Sequence, residues 1–430
     1  MTARLPIALS LLIATGTMSS APPSRAIAQT AGSAAAAAPA TIAIRFGRLV
    51  DGTGAVLTNA VVILQGDRIR SVSTSPSAVV AEAEVIDLSR YTGLPGLIDV
   101  HTHLTFSYLP GREPRFPAIA MFLGQESARK TLESGVTTVR DLNAREFVDL
   151  AMRDLINMGA IVGPRMYVSG HGLIVTRSPP GSAPNPRSVD GSSEVMRAVR
   201  QLAATGVDWL KLFASTGSAQ DLSGRQTFTF DEIKAAVDAA HPLGKRVAVH
   251  SYGPDAARDA VRAGADSIEH ATDMDDATIA EMARKGTFYV PTIDHNRYYA
   301  DNVETLGFNP ASRARFHDFT ERNLATAHRA VAAGVRLAMG SDAAFTMFGE
   351  NTRELAWFVR AGLTPEQAIR AATANGAALL GKEKELGAVA AGYYADIIAV
   401  EGDPLKDINV VINNVRWVMK NGVVVVNNAR

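Results

Sequence analysis

Eight short apolar segments recur between Gly96 and Asp342, and each carries polar or charged residues toward its carboxyl end: GLIDVHTH, TTVRDL, RMYVSGHG, WLKLFAS, RVAVHS, SIEHA, FYVPTID and RLAMGSD. Each has the length of one strand, and the apolar run around WLKLFAS reads as a strand buried on both faces. The stretches between them carry helix signals. Thr364-Pro365-Glu366-Gln367 reads as a capping box with proline in the first turn, and Gly135, Gly264 and Gly286 follow amphipathic runs as stop signals. Strand and helix alternating eight times predict an α/β chain built as a (β/α)8 TIM barrel.

The flanks have a different texture. TIAIRFGRLV, AVVILQGDRIRSV and EVIDLS near one end, and ADIIAVEGD and VVINNVRWVMKNGVVVV near the other, are β-branched runs with turns at Asp51-Gly52, Gly66-Asp67 and Asn421-Gly422. They predict a small β-sandwich assembled from both ends of the chain. The expected division is 41–95 and 385–430 for the sandwich and 96–384 for the barrel. A chain of 430 residues suits this plan, because a single core stops growing near about 250–300 residues.

The amino terminus reads as an export signal over 1–28. Arg4 precedes the apolar LPIALSLLIA, and Ala26-Ile27-Ala28 precedes Gln29. The alanine-rich 29–40 reads as a flexible leader. A periplasmic or secreted protein with no stable membrane anchor after processing is expected. The segment from Thr176 to Ser193 is rich in proline, glycine and serine and is expected to be a long loop, of the kind that often forms a lid.

Charge and composition narrow the chemistry. Basic and acidic residues balance at 43 each, which argues against an extended nucleic-acid surface. No cysteine is present, so any metal must be held by histidine, carboxylate or a modified side chain.

In a barrel of this type the chemistry sits at the carboxyl ends of the strands. Those ends carry His101 and His103, Lys211, His250, His270 and Asp342. Two imidazoles spaced two apart on one strand face the same side and can grip one ion. Lys211 stands inside the apolar WLKLFAS, where an ordinary ammonium is costly to bury. Burial favours its neutral amine, which can react with carbon dioxide to give an anionic carbamate able to bridge two divalent metals.

LPGLIDVHTHL, WLKLFAS, VAVHS, SIEHA and GSD resemble the amidohydrolase superfamily in its binuclear-metal form, and ADIIAVEGDPL resembles that family's return into the sandwich. TTVRDL and the histidine-rich barrel are most similar to the Xaa-Pro dipeptidase/carboxypeptidase branch, which includes ochratoxin-hydrolysing amidases. The resemblance implies that His101, His103 and Asp342 bind one metal ion, that His250 and His270 bind a second, and that carbamylated Lys211 bridges them. Zinc suits such donors. Two ions would lower the pKa of a shared water and polarise a carbonyl. Asp342 would take the proton and pass it to the departing amine.

The expected substrate is a small-molecule amide or peptide, either a dipeptide or an N-acyl amino acid. Ochratoxin A, split to ochratoxin alpha and phenylalanine, falls in that class. Similarity to imidazolonepropionases leaves a cyclic amide as an alternative, and a barrel that has lost activity is another. A mononuclear deaminase would not need Lys211. Candidate substrate contacts are His171 in GHG, Tyr252, Arg140, and His295, Arg297, Tyr298 and Tyr299 after the seventh segment. Assembly into a homo-oligomer is expected by the same resemblance.

Overall fold

The computed structural model describes residues 41–79, 81–176, 187–219 and 221–429. The expected signal segment, the leader and most of the expected lid lie outside these residues. Among the described residues no helix is long and apolar enough to cross a membrane.

The first four strands are β1 (Thr41–Val50), β2 (Val56–Gln65), β3 (Arg68–Ser73) and β4 (Glu84–Pro95). The next seven are β5 (Leu97–Thr102), β6 (Val136–Asp141), β7 (Arg165–Val168), β8 (Trp209–Phe213), β9 (Arg246–Ser251), β10 (Ser267–His270) and β11 (Phe288–Val290). The last three are β12 (Ile397–Val400), β13 (Val415–Lys420) and β14 (Val423–Asn427).

Both chain ends enter one seven-stranded sheet in the order β14-β13-β12-β4-β1-β2-β3. Its buried face carries Ile44, Phe46, Val62, Leu64, Ile397 and Trp417 in a single apolar cluster. The edge strand β3 also meets the segment entering β12, with Ile69 N donating to Tyr393 O at 2.9 Å and Ala395 N donating to Asp67 O at 2.8 Å. The expected hairpin at Asn421-Gly422 forms, with φ of 51° and 74°. Positive φ at both central residues is what a tight two-residue hairpin demands, and asparagine and glycine tolerate it best.

The central segments form two parallel sheets, β5-β6-β7 and β11-β10-β9-β8. Parallel bridges link Leu173 with Leu212, Tyr289 with Leu337, and Thr102 with Ala343. Helices lie between successive strands, and their ends follow the sequence signals. Thr364 and Gln367 complete a reciprocal capping box. Gly264 and Gly286 close their helices at φ of 95° and 74°. The expected loop from Thr176 to Ser193 ends three residues early, because Gly191-Ser192-Ser193 begin the helix Gly191–Ala204. Glu194 in its first turn accepts from Asp190 N at 3.0 Å and fixes the start.

Seven of the eight apolar segments are strands; the eighth, RLAMGSD, is not one. It runs between β5 and β11 and bonds to both, with Val100 N donating to Met339 O and Ala338 N donating to Tyr289 O. It leaves the extended form at Asp342, whose φ is 53°. Gly340 lets it pass this close. A Cβ there would lie 2.4 Å from Val290 Cγ1 and 2.8 Å from His101 Cβ. Gly340→Ala is therefore expected to lower unfolding stability by about 1–3 kcal/mol, as overpacking of a tight core does. Chemical denaturation of the two proteins side by side measures it; equal midpoints would mean that the contact is not tight.

Candidate active site

Backbone pairing brings the polar strand ends together. Asp342 N donates to His101 O at 2.7 Å, and His103 N donates to Ala343 O at 3.0 Å, so the Ser341–Ala343 segment is tied beside the end of β5. Asp99 reinforces that junction from within. Its carboxylate accepts from Ser341 N, Ser341 Oγ, Asn351 Nδ2 and His101 N. On the other side, β8, β9 and β10 pair in register, so that Phe213 stands beside His250 and His250 beside Glu269.

The result is a cavity of about 290 Å³. His101, His103, Lys211, His250, His270 and Asp342 all line it, with His295 and the rings of Phe106, Phe213, Tyr252, Tyr299 and Phe345. The ligand-capable atoms of His101, His270 and Asp342 lie within 4.8 Å of one another. Asp342 Oδ1 is 3.0 Å from His103 Nε2 and 3.5 Å from His101 Nε2, and its Oδ2 is 3.4 Å from His295 Nε2. Successive imidazoles nearly touch, with ring centroids 4.9 Å apart for His101 and His270 and 4.7 Å apart for His250 and His270.

Burial sets the charge of these groups. Desolvation holds the His250 and His270 imidazoles well below their ordinary pKa, so they stay neutral with a lone pair to offer. His101 falls to about 4, through burial and the nearby Lys211 charge. Burial brings Lys211 down to about 8, against the pull of Glu269 and Asp342. Burial opposes charge on Asp342 too, but the facing imidazoles outweigh it and hold the carboxyl well below its usual range.

Four buried polar atoms in this cluster, Lys211 Nζ, His250 Nε2, His103 Nδ1 and His295 Nδ1, have no hydrogen-bond partner in the protein. Buried polar groups are normally satisfied, so an orphaned amine and an orphaned imidazole nitrogen facing one cavity ask for a bound partner. The space around them is tight on the protein side. A Cβ at Gly217 would lie 2.5 Å from His250 Nε2, so glycine there keeps the chain clear of the imidazole. Neutral nitrogen donors, one carboxylate and an amine suit divalent cations.

The substrate-contact candidates divide. Tyr252, His295 and Tyr299 line the cavity. Tyr252 stacks on His250 with centroids 5.0 Å apart. His171 packs against Phe147, beside but not on the cavity wall. Arg297 turns away to Asp294 and Asp301. The Tyr298 hydroxyl pairs with Thr346 Oγ1. Arg140 is also off the cavity and fully buried. Its neighbour Asp141 is not its partner, since Asp141 Oδ2 accepts from Leu104 N at 2.6 Å. Arg140 instead reaches Glu269 Oε1 at 2.9 Å and lies over the Trp209 ring at 4.3 Å.

Glu269 is the residue that sequence reasoning missed. It lies in the apolar SIEHA beside a residue expected to face inward, and strand alternation assigns it to the opposite face. The backbone overrides that rule, because His270 and Ala271 have φ of 72° and 21°. The chain twists there, so both side chains reach the interior. The available signal was charge: an acid in one apolar strand and a base in another require each other when buried. Asn143 was missed as well. It lines the cavity, and its Oδ1 accepts from Gly172 N at 3.0 Å.

The chain matches the Amidohydrolase family model over residues 92–425. It belongs to the amidohydrolase family. It is 33% identical to ochratoxinase from Aspergillus niger over 350 residues, 74% of this chain and 72% of that protein. The crystal structure of an Xaa-Pro dipeptidase with bound methionine in its active site superposes with a TM-score of 0.83 at 32% identity, covering 90% of this chain and 99% of that one. A prolidase complexed with N-methylphosphonate-L-proline gives the same TM-score at 28% identity, covering 90% and 100%. The family acts on amide bonds, and a buried cluster of histidine, amine and carboxylate is the part of this amidohydrolase fit for that task.

Arg140→Met tests the electrostatics of this cluster. It strands the Glu269 carboxylate in the interior, and breaking a buried pair typically costs about 3–5 kcal/mol. Burial resists the Glu269 charge, but Arg140 and the His101 hydrogen bond hold its pKa at about 2 in the folded protein. A depressed carboxylate pKa stabilises the fold above the ordinary value of 4.5 and loses that stabilisation as pH falls through about 2. The variant's stability deficit, followed by urea unfolding, is therefore expected at pH 7 and should shrink toward acid pH. A pH-independent deficit would point to lost packing instead.

Proposed function

We propose that this amidohydrolase hydrolyses the amide bond of dipeptides or N-acyl amino acids with the help of two divalent metal ions. The observation that carries this reading is the set of orphaned and neutral donors converging on one buried cavity. His101, His103 and Asp342 would hold one ion, and His250 and His270 the other. A carbamate on Lys211 would join them. Zinc suits the imidazole-rich donor set. The names of the relatives, ochratoxinase and Xaa-Pro dipeptidase, support the substrate class. The three bridges between sheet edges support a closed (β/α)8 barrel, and the meeting of β3 with the segment entering β12 supports a sandwich-like end domain.

Bound ions would supply Lewis acidity, polarising the scissile carbonyl and lowering the pKa of water. The chain's own groups do the rest. Asp342, kept ionised by the surrounding imidazoles, accepts a proton from the attacking water at a carboxylate oxygen. It delivers that proton to the nitrogen as the C–N bond breaks, and the products are a carboxylate and a free amine. His295 Nε2, 3.4 Å from Asp342 Oδ2, fixes the carboxylate's orientation. Tyr252 and the rings of Phe106, Phe213 and Phe345 form an apolar wall that suits an aromatic or aliphatic acyl group and shields the reaction from bulk water. The amino-terminal apolar segment fits export, and assembly of several copies fits the same family reading.

A hydrolysis screen tests this. Xaa-Pro dipeptides and N-acyl-phenylalanines are expected to be cleaved, chelation to abolish cleavage, and added zinc to restore it. Opening of a lactam with both amide classes inert would overturn the substrate class. Asp342→Asn is expected to lower kcat by about 10²–10⁴-fold, the span of general acid–base contributions. An unchanged kcat would remove Asp342 from the proton path.

A further inference from the structure

Beneath the cavity lies a fully buried polar chain that no part of the proposed reaction uses directly. The Trp209 ring of β8 supports the Arg140 guanidinium of β6. Arg140 Nη2 donates to Glu269 Oε1 at 2.9 Å, Arg140 Nη1 donates to Ser267 Oγ at 3.1 Å, and the Ser267 hydroxyl donates to Glu269 Oε1. Arg140 Nε donates to Val100 O at 2.5 Å, one residue before His101. The second Glu269 oxygen, Oε2, is 2.7 Å from His101 Nδ1. Strands β5, β6 and β10 thus meet on one carboxylate, and β8 supports its Arg140 partner.

We propose that Glu269 is a positioning residue for His101. Its carboxylate has only acceptor oxygens, so the proton of the His101 ring must sit on Nδ1. That leaves the Nε2 lone pair directed toward Asp342, 3.5 Å away. Arg140 and Ser267 take the other carboxylate oxygen and prevent Glu269 from rotating. An anion on the far ring nitrogen also makes the imidazole a better donor to a cation, a general device at metal-ligating histidines. The inference rests on the metal reading given above and deepens it.

The rival role for Glu269 is neutralisation of buried Arg140 and nothing more. Zinc affinity separates the two roles, measured by competition with a chromophoric chelator on the full-length protein. Glu269→Gln is expected to weaken zinc binding by about 10–100-fold, the usual cost of losing such a partner. It also strands the Arg140 charge, so it can fail to fold. The double variant Arg140→Met with Glu269→Gln removes both charges of this buried pair and is expected to regain folding stability in urea while keeping the weakened affinity. Recovery of wild-type affinity in the double variant, or wild-type affinity in a folded Glu269→Gln protein, would overturn the proposal. Absence of zinc binding by the unsubstituted chain would instead overturn the metal reading, and this proposal with it.

Discussion

Moving charge out of water is the constraint around which this molecule is organised. Five imidazoles, an amine and a carboxylate share one buried cavity, and charge on each is more costly there than in solvent. The protein meets that cost in two ways. Asp342 stays ionised because imidazoles surround it. Glu269 stays ionised because Arg140 and His101 bracket its two oxygens. Lys211 Nζ, His250 Nε2, His103 Nδ1 and His295 Nδ1 have no protein partner, and their residues line the cavity. The amine and the imidazole nitrogens left open have ligand chemistry.

The backbone makes this arrangement possible at a few unusual points. Gly340 brings the last inner segment against His101 and Val290. Asp342 and His270 adopt left-handed conformations that turn their side chains inward, a conformation that is uncommon in residues other than glycine and that gathers at functional sites. Asp99 fastens two of the converging segments through four hydrogen bonds that its side chain accepts, and burial raises its pKa to about 6. The geometry of the cavity is therefore set by main-chain contacts between strand ends, with side chains presented on a rigid base.

Much of this was legible in the sequence, for identifiable reasons. Lys211 in an apolar strand raised the problem of a buried charge, and burial with an orphaned Nζ is the outcome. The histidines announced themselves by ending strands, and period-two alternation placed His101 and His103 on one side. The Asn421-Gly422 hairpin and the Thr364 capping box follow local rules that tertiary context did not disturb. The failures also have physical causes. Glu269 was hidden because one positive φ defeats strand alternation. RLAMGSD has strand composition but bends at Asp342. Arg140, Arg297 and Tyr298 found partners elsewhere in the fold, and partner choice across 129 residues of sequence, as for Arg140 and Glu269, leaves no local trace.

The proposed function requires the buried cluster to be a two-cation centre joined through a modified Lys211. A crystal structure of the protein grown with zinc and bicarbonate, with anomalous data collected on both sides of the zinc edge, addresses it most directly. Two anomalous peaks are expected inside the cavity, one against His101, His103 and Asp342 and one against His250 and His270, with continuous density extending Lys211 Nζ by a carboxylate between them. A cavity with no anomalous signal, or a bare Lys211 ammonium paired to Asp342, would contradict it.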